Sequence, residues 1–138
     1  SDIANFVRSI NANAVYVDPM QGQHIIDYLL VNVPEIITKP VNFGSKVSDH
    51  AKGKAVLAIN RRAEMYANAS DQLKSKRVVA YCDKSELERQ LNATEFEVDA
   101  KKIKVISKET IKERIGKSPD EADSFVLAIQ AVYETMNL

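Results

Sequence analysis

The stretch Ala14-Val15-Tyr16-Val17-Asp18 decides the fold of this chain, because a short apolar run that ends at a carboxylate predicts a buried strand. The pattern is interrupted at residues 19–23, resumes with helical spacing as far as Leu30, and gives a second predicted strand at residues 35–41. Strand, helix and strand within about 25 residues predict a βαβ unit and a parallel sheet. Functional side chains gather at the C-terminal ends of such strands, and Asp18 lies at one of those ends.

Helical spacing and turn chemistry predict the remaining elements on either side of this unit. A short helix is expected at residues 3–10, and a polar loop at residues 42–53 leads into a long helix expected at residues 54–73. Further along the chain we expect a strand at residues 78–81, a helix at residues 85–91 capped by Ser85 and Glu88, an antiparallel hairpin whose turn is Asp99-Ala100-Lys101, and a helix at residues 110–115 that Gly116 ends.

The stretch Ser118-Pro119-Asp120-Glu121-Ala122-Asp123 predicts the start of the last helix. Ser118 suits the cap position, Pro119 the first helical position, and Glu121 the reciprocal capping bond. Apolar residues then recur at helical spacing, which predicts a core helix with one exposed edge shared by Asp120 and Asp123. Acidic residues in a first turn are also favoured by the helix dipole alone. Asp123 lies beyond that turn and beside the apolar stripe, where a partly buried carboxylate needs a partner such as a cation.

Carboxylates in these positions are candidate metal ligands, because Mg²⁺ and Mn²⁺ bind hard oxygen ligands. Asp18 and Asp123 are therefore candidate members of one site. The alternative for Asp18 is a cap on the turn that follows it, and both interpretations stay open. A basic segment made of Lys46, Lys52, Lys54, Arg61 and Arg62 either binds phosphates or forms a solvated face.

Composition excludes several classes of protein. The chain has 138 residues, which suits a single domain at residues 1–138, and its 19 basic and 19 acidic residues cancel, so no global field indicates a nucleic-acid partner. The single Cys82 excludes an internal disulfide, and His24 and His50 lie in no zinc-binding pattern. Gly53-Lys54-Ala55 lacks the spacing and hydroxyl of a phosphate-binding loop. With no apolar run long enough to span a bilayer and no signal-peptide pattern, we expect a soluble, intracellular protein.

Three blocks of the sequence, in order, resemble the C-terminal nuclease domain of phage large terminase subunits. They are Val41-Asn42-Phe43-Gly44-Ser45-Lys46, Asn60-Arg61-Arg62-Ala63-Glu64-Met65-Tyr66 and Lys117-Ser118-Pro119-Asp120-Glu121-Ala122-Asp123. The resemblance covers most of the chain and implies an α/β fold of the ribonuclease-H-like type, a mixed sheet flanked by helices with a β-hairpin near the site. It also implies two divalent ions, Mg²⁺ or Mn²⁺, and metal-dependent endonuclease cleavage of concatemeric viral duplex DNA during genome packaging.

Under this resemblance Asp18 corresponds to the second acidic position of the family and Asp123 to the last, with Asp120 assisting. The family's hairpin corresponds to residues 94–107, so that Lys101, Lys102 and Lys104 contact DNA together with the basic segment.

The sequence departs from the family pattern in two places. The first acidic ligand of the family lies upstream of the residues present here, and Pro19-Met20-Gln21-Gly22-Gln23 replaces its glycine-rich run. The ligand set is therefore expected to be incomplete, and the ATPase half of a terminase is absent. The implied partners are duplex DNA, the terminase ATPase domain, the small subunit and the portal, in the cytoplasm of a bacterial host. The alternatives are a catalytically silent docking domain of a packaging motor and another ribonuclease-H-like nuclease such as a resolvase.

Overall fold

A computed structural model describes residues 2–49, 57–79 and 83–136 of the chain. Within these residues there are six α-helices and five β-strands. The chain divides into two compact units, Ser1–Phe43 with Ala131–Leu138, and Gly44–Gln130. The helices are α1 (Asp2–Ser9), α2 (Pro19–Asn32), α3 (Arg61–Lys74), α4 (Ser85–Ala93), α5 (Lys108–Ile115) and α6 (Asp120–Met136), and the strands are β1 (Ala14–Val17), β2 (Ile37–Pro40), β3 (Leu57–Ala58), β4 (Phe96–Asp99) and β5 (Lys102–Val105).

The first unit contains the predicted βαβ arrangement. Strands β1 and β2 pair in parallel, with Val15 opposite Thr38, and α2 connects them. A hydrophobic cluster of Ala4, Val7, Leu29 and Val33 joins α1 to the end of α2. The prediction of two parallel strands and a crossover helix from the apolar run at residues 14–17 is confirmed.

The expected interruption at residues 19–23 is wrong, because α2 begins directly at Pro19. Asp18 is the N-cap of this helix, and its side chain accepts a 2.9 Å hydrogen bond from the backbone N–H of Met20. Gly22 belongs to the first turn, where a Cβ atom would lie 2.4 Å from Cγ1 of Val17. Asp18, Pro19 and Gly22 thus form a tight connection from strand to helix, in which the glycine allows the two elements to approach closely.

The second unit contains a three-stranded sheet in the order β3-β5-β4. Strands β4 and β5 form the predicted antiparallel hairpin, with Asp99 opposite Lys102, and the two turn residues Ala100 and Lys101 have φ angles of 49° and 68°. Both angles lie in the left-handed region that two-residue hairpin turns of this type require. The parallel pairing of β3 with β5 makes the sheet mixed.

Several predicted boundaries in the second unit differ from the structure. The helix expected at residues 54–73 begins at Arg61, and the two-residue strand β3 precedes it. Val78 and Val79 lie in no strand, while the rest of the strand expected at residues 78–81 falls outside the described residues. Lys84 rather than Ser85 is the N-cap of α4, and Asp83 accepts from the backbone N–H of Ser85 at 3.1 Å.

The last two helices are both present as predicted, but α5 begins at Lys108 rather than near Thr110, and α6 begins at Asp120 rather than at Pro119. Helix α5 ends at Gly116, whose φ of 81° is the left-handed cap conformation. Helix α6 begins at Asp120, with a 2.9 Å bond from the N–H of Asp123 to the carbonyl of Pro119. Across the described part of the chain, no helix combines the length and the apolar character that a membrane crossing needs.

Candidate functional site

The candidate site is built on the first turns of α3, where two arginines open the helix. Asn60 is the N-cap, and its side-chain oxygen accepts a 3.0 Å bond from the N–H of Ala63. Arg61 and Arg62 are 5% and 8% exposed, so the expectation of a solvated basic face is wrong for these two residues. Cations at a helix N-terminus oppose the helix dipole, and burial makes them dependent on carboxylate partners.

Glu64 is the partner of Arg61. The two side chains form a 2.9 Å ion pair one turn apart on α3, and both are buried. Glu64 also accepts a 2.7 Å bond from the backbone N–H of Ser48 and a short bond from its hydroxyl, while the N–H of Arg61 donates to the carbonyl of Ser45 at 2.8 Å. These bonds fix the segment from Ser45 to Ser48 against α3 and leave Lys46 exposed on it.

Asp123 is the partner of Arg62, and it lies at the centre of the site. Its Oδ1 accepts a 2.9 Å bond from Arg62 and a 2.6 Å bond from the hydroxyl of Tyr66, and its Oδ2 lies 3.1 Å from Nζ of Lys108. The carboxylate is about one-tenth exposed, as is the side chain of Arg62, while Lys108 is 43% exposed. The expectation that a partly buried Asp123 needs a cationic partner is confirmed, and the partners in the described structure are protein side chains.

Tyr66 links the charges of the site. The guanidinium carbon of Arg62 lies 4.9 Å from the centre of the Tyr66 ring, a cation–π contact. Burial raises the pKa of the Tyr66 hydroxyl, and the negative charge of Asp123 raises that pKa further. The hydroxyl is therefore a neutral, permanent hydrogen-bond donor to the carboxylate at any physiological pH.

The start of α6, which carries Asp123, is held by the buried side chain of Gln90 from α4. Its Oε1 accepts a 2.9 Å bond from the N–H of Ala122, and its Nε2 donates to Glu86 at 3.1 Å. Glu86 also accepts a 2.9 Å bond from Lys117. This bond, and to a smaller extent the bond from Gln90, lowers the pKa of Glu86 to about 2. The N–H groups in the first turn of a helix have no acceptor within that helix, and Gln90 provides one for the N–H of Ala122.

Buried amide side chains form a second set of contacts between α3 and α6. Asn68 on α3 donates to Gln130 on α6 at 3.0 Å, and Gln72 lies 3.4 Å from Asn68. All three side chains are less than 5% exposed. Helices α3 and α6 are consequently joined by charged and polar contacts along two turns, which specify their register.

Asp120 and Asp123 lie in different environments. Asp120 is exposed and lines a shallow pocket of about 370 Å³, together with Asp83, Leu87, Glu121, Ser124 and Phe125. Asp123 is not among the residues that line this pocket. The expected exposed edge shared by the two carboxylates is wrong, because Asp123 turns to the cations of α3 and α5.

Asp18 belongs to the first unit and is a cap, as its second predicted role stated, but it caps helix α2 rather than a turn. Asp123 belongs to the second unit. Among the residues that the structure describes, no group of three or more His, Cys, Asp or Glu side chains could hold a metal ion. The shared metal site of Asp18, Asp120 and Asp123 stays a prediction.

The remaining predicted DNA contacts differ in their surroundings. Lys101 and Lys102 are exposed, and Lys104 is half-buried. Lys102 lies opposite Asp99 and Lys104 opposite Glu97 in the hairpin register, so two of the three lysines face a carboxylate. Lys52, Lys54 and His50 lie outside the described residues, as does Cys82.

Sequence reasoning missed Lys108, the ionic role of Arg62 and the capping role of Gln90. One signal was available for the first two. Lys108 follows the cap Ser107, and Arg62 follows the cap Asn60 by two residues, so both place a cation where the helix dipole disfavours it. Such a residue indicates a nearby carboxylate. No local pattern distinguishes Gln90 from a solvated glutamine.

Comparison with solved structures shows that the fold of this chain is similar to that of several solved protein domains. The chain superposes on the nuclease domain of the large terminase subunit of bacterial virus Sf6 with a TM-score of 0.71 and 16% sequence identity, over 91% of this chain and 68% of that one. A lysine-to-alanine variant of the same domain with manganese gives a TM-score of 0.70 at 15% identity, over 91% and 69% of the two chains. The corresponding variant with calcium gives 0.71 at 15% identity, over 91% and 68%.

No protein-family model matches the chain, and no curated protein matches it in sequence. At 15–16% identity the structural likeness establishes the fold alone. The predicted ribonuclease-H-like α/β class is confirmed, and so is the resemblance of this chain to a terminase nuclease domain at the level of fold.

Proposed function

We propose that this chain is the nuclease domain of a phage-type large terminase subunit, a metal-dependent endonuclease that cleaves concatemeric viral duplex DNA during genome packaging. The observation that carries the proposal is the fold correspondence, with TM-scores of 0.70–0.71 over 91% of the chain. The matched structures are nuclease domains of a terminase, and two of them contain manganese or calcium. We extend divalent-metal dependence to this chain on that basis.

The candidate residues fit a divalent ion only in part. Asp123 is a buried carboxylate of the kind that metal sites use, but Arg62 and Tyr66 occupy its Oδ1 and Lys108 contacts its Oδ2. The described residues hold no group of three candidate ligands. They therefore do not form a complete metal site, and we derive no hydrolytic step through a metal. In the proposal Asp18, Asp120 and Asp123 contribute carboxylates to a site with further ligands.

The proposed DNA interface consists of the predicted lysines and excludes the predicted Arg61 and Arg62, because these two side chains are buried. Lys46 is exposed on a segment fixed to α3, and Lys101 is exposed at the tip of the hairpin, free of a carboxylate directly opposite it. Lys102 and Lys104 add less, because a carboxylate lies opposite each of them. Lys52 and Lys54 remain in the proposal. The terminase ATPase domain, the small subunit and the portal are the proposed protein partners.

A plasmid-nicking assay in Mn²⁺ tests this function. Because the described carboxylates form an incomplete site, we expect the chain to convert supercoiled plasmid to nicked circles only slowly, and Asp123→Asn to abolish the conversion. Asp71→Asn, which neutralises an exposed carboxylate on α3, is the matched control and should cut at the normal rate. Circular dichroism confirms that each variant is folded at the assay temperature. Normal cutting by a folded Asp123→Asn variant would refute the assignment of this residue.

The second candidate is a catalytically silent docking domain of a packaging motor. The ion pairs of Asp123 with Arg62 and Lys108 favour it, since they satisfy the carboxylate without metal. Melting curves distinguish the two functions, because an ion that binds only the folded chain raises its melting temperature. A melting temperature that rises with Mn²⁺ concentration supports the nuclease. An unchanged melting temperature together with no nicking supports the docking domain.

A further inference from the structure

Strand β4 is an edge strand with an exposed apolar surface. In the three-stranded sheet β4 pairs only with β5, within the part of the chain that the structure describes. All four of its residues are exposed, including Phe96 at 44% and Val98 at 78%. An exposed strand edge with apolar side chains is a template for pairing with another strand.

The hairpin register determines which backbone groups point outward. The N–H of Ile106 donates to the carbonyl of Glu95 at 3.0 Å, so residues 95 and 106 form a hydrogen-bonded pair. Antiparallel pairs alternate, and the next hydrogen-bonded pairs toward the turn are those of Glu97 and Asp99. Phe96 and Val98 therefore direct their backbone N–H and C=O groups away from β5, toward the outer edge.

The side chains of β4 define what an added strand should contain. Phe96 and Val98 share one face of the hairpin, while Glu97 and Asp99 share the other. Strand β5 meets this pattern with Lys102-Ile103-Lys104-Val105, which places a lysine opposite each carboxylate and an apolar residue opposite each apolar one. A strand added at the outer edge of β4 would lie beside the same apolar and acidic side chains. Cross-strand pairing therefore favours a strand in which basic and apolar residues alternate, as they do in β5.

We propose that the outer edge of β4 binds an extended segment of a partner protein in which Lys or Arg alternates with β-branched apolar residues. Main-chain hydrogen bonds to Phe96 and Val98 provide the pairing, and the carboxylates of Glu97 and Asp99 select basic side chains. A second copy of this chain fits poorly, because two β4 edges would place carboxylates opposite one another. This docking surface does not depend on nuclease activity.

A peptide with the sequence of β5 is a direct probe. A fluorescein-labelled peptide of residues 101–107 (KKIKVIS) is titrated with the protein, and anisotropy reports binding. We expect saturable binding. The matched peptide in which Lys102→Glu and Lys104→Glu reverse the charges should bind at least about tenfold more weakly, since two favourable cross-strand pairs become repulsive. Equal binding of the two peptides would overturn the proposed selection of basic partners.

Two variants of the protein test the outer edge itself. Val98→Pro removes an N–H that points outward and leaves the bonds to β5 in place, so it should abolish peptide binding. Val98→Thr keeps that N–H and should bind the peptide almost normally. Amide hydrogen exchange on the unmodified protein provides a test that does not depend on folding of a variant.

The peptide should slow amide exchange at Phe96 and Val98 and leave Glu97 and Asp99 unchanged. Binding without protection at Phe96 and Val98 overturns the proposal, as does failure of the peptide to bind. Concentration-dependent dimerisation that Val98→Pro abolishes would show that a second copy occupies the edge, and it would equally overturn the proposed partner. Competition by duplex DNA with no protection of the strand would identify nucleic acid as the occupant instead.

Discussion

The hydroxyl of Tyr66 lies 2.6 Å from Oδ1 of Asp123 and donates a hydrogen bond to that oxygen. Arg62 contacts the same oxygen at 2.9 Å and also stacks on the Tyr66 ring. A buried carboxylate is stable only when its hydrogen-bonding capacity is filled, and here a neutral donor and a cation share one oxygen. The three side chains consequently act as a unit that joins α3 to α6.

The variant Tyr66→Phe is expected to lower the free energy of unfolding by about 1.5–3 kcal/mol, the usual worth of a hydrogen bond to a charged group. Urea denaturation followed by circular dichroism measures this. The pH dependence has a definite sign, because burial and Asp123 raise the pKa of Tyr66 in the folded state. Its contribution is fully present below the pKa of an unfolded tyrosine, near 10, and is lost as the pH rises above that value.

The alkaline decline in stability should accordingly be shallower in Tyr66→Phe than in the unmodified chain. Tyr133→Phe, which removes the hydroxyl of a half-buried tyrosine on α6, is the control for loss of a tyrosine hydroxyl. Identical profiles above pH 10 for the unmodified chain and Tyr66→Phe would contradict the proposed effect of burial on this group.

Asp123→Asn should destabilise the fold by about 3–5 kcal/mol, because it removes a carboxylate that forms a buried ion pair with Arg62. The double variant Arg62→Met with Asp123→Asn should recover a large part of this loss, since it removes both charges of the pair. Urea unfolding of the single and double variants gives the coupling free energy. Additive losses would mean that the two charges contribute independently.

The fold was predictable where local patterns agree with tertiary structure. The apolar run at β1, the helical spacing of α6 and the left-handed cap at Gly116 each indicated the correct element. The start of α3 was missed because β3 has only two residues, too few for a period of two to appear. The start of α2 was missed although Asp18-Pro19 has the cap and first-position residues of a helix.

The site was predictable in part, through the burial of Asp123. Its partners Arg62 and Tyr66 lie 61 and 57 residues away in the sequence, and no local period connects residues at such separations. The position of Asp123 beside an apolar stripe indicated that it needed a cation, but the sequence did not indicate which one. The two cations that fill this role lie in the first turns of their helices, where their charges oppose the dipole.

Lys108→Ala tests whether this lysine competes with a metal ion for Asp123. Lys108 is 43% exposed, so the loss of its ion pair should cost less than about 1 kcal/mol. Its removal leaves Oδ2 of Asp123 open to a divalent cation. We expect Mn²⁺ to raise the melting temperature of Lys108→Ala more than that of the unmodified chain.

Lys112→Ala removes an exposed lysine from the same helix and is the matched control for net charge. It should respond to Mn²⁺ like the unmodified chain. An equal response of both variants would exclude competition at Asp123 and would indicate that any bound ion lies elsewhere.

Gln90→Leu should destabilise the chain by about 1–3 kcal/mol, because a side chain of nearly the same size leaves the buried N–H of Ala122 without its acceptor. Asn92→Leu changes an exposed amide on the same helix and should have little effect. Amide hydrogen exchange locates the loss of stability. We expect this loss to be concentrated in the first turn of α6, so that exchange accelerates at Ala122 and Asp123. If exchange accelerates uniformly over the chain, Gln90 supports global packing and does not specifically hold the helix that carries Asp123.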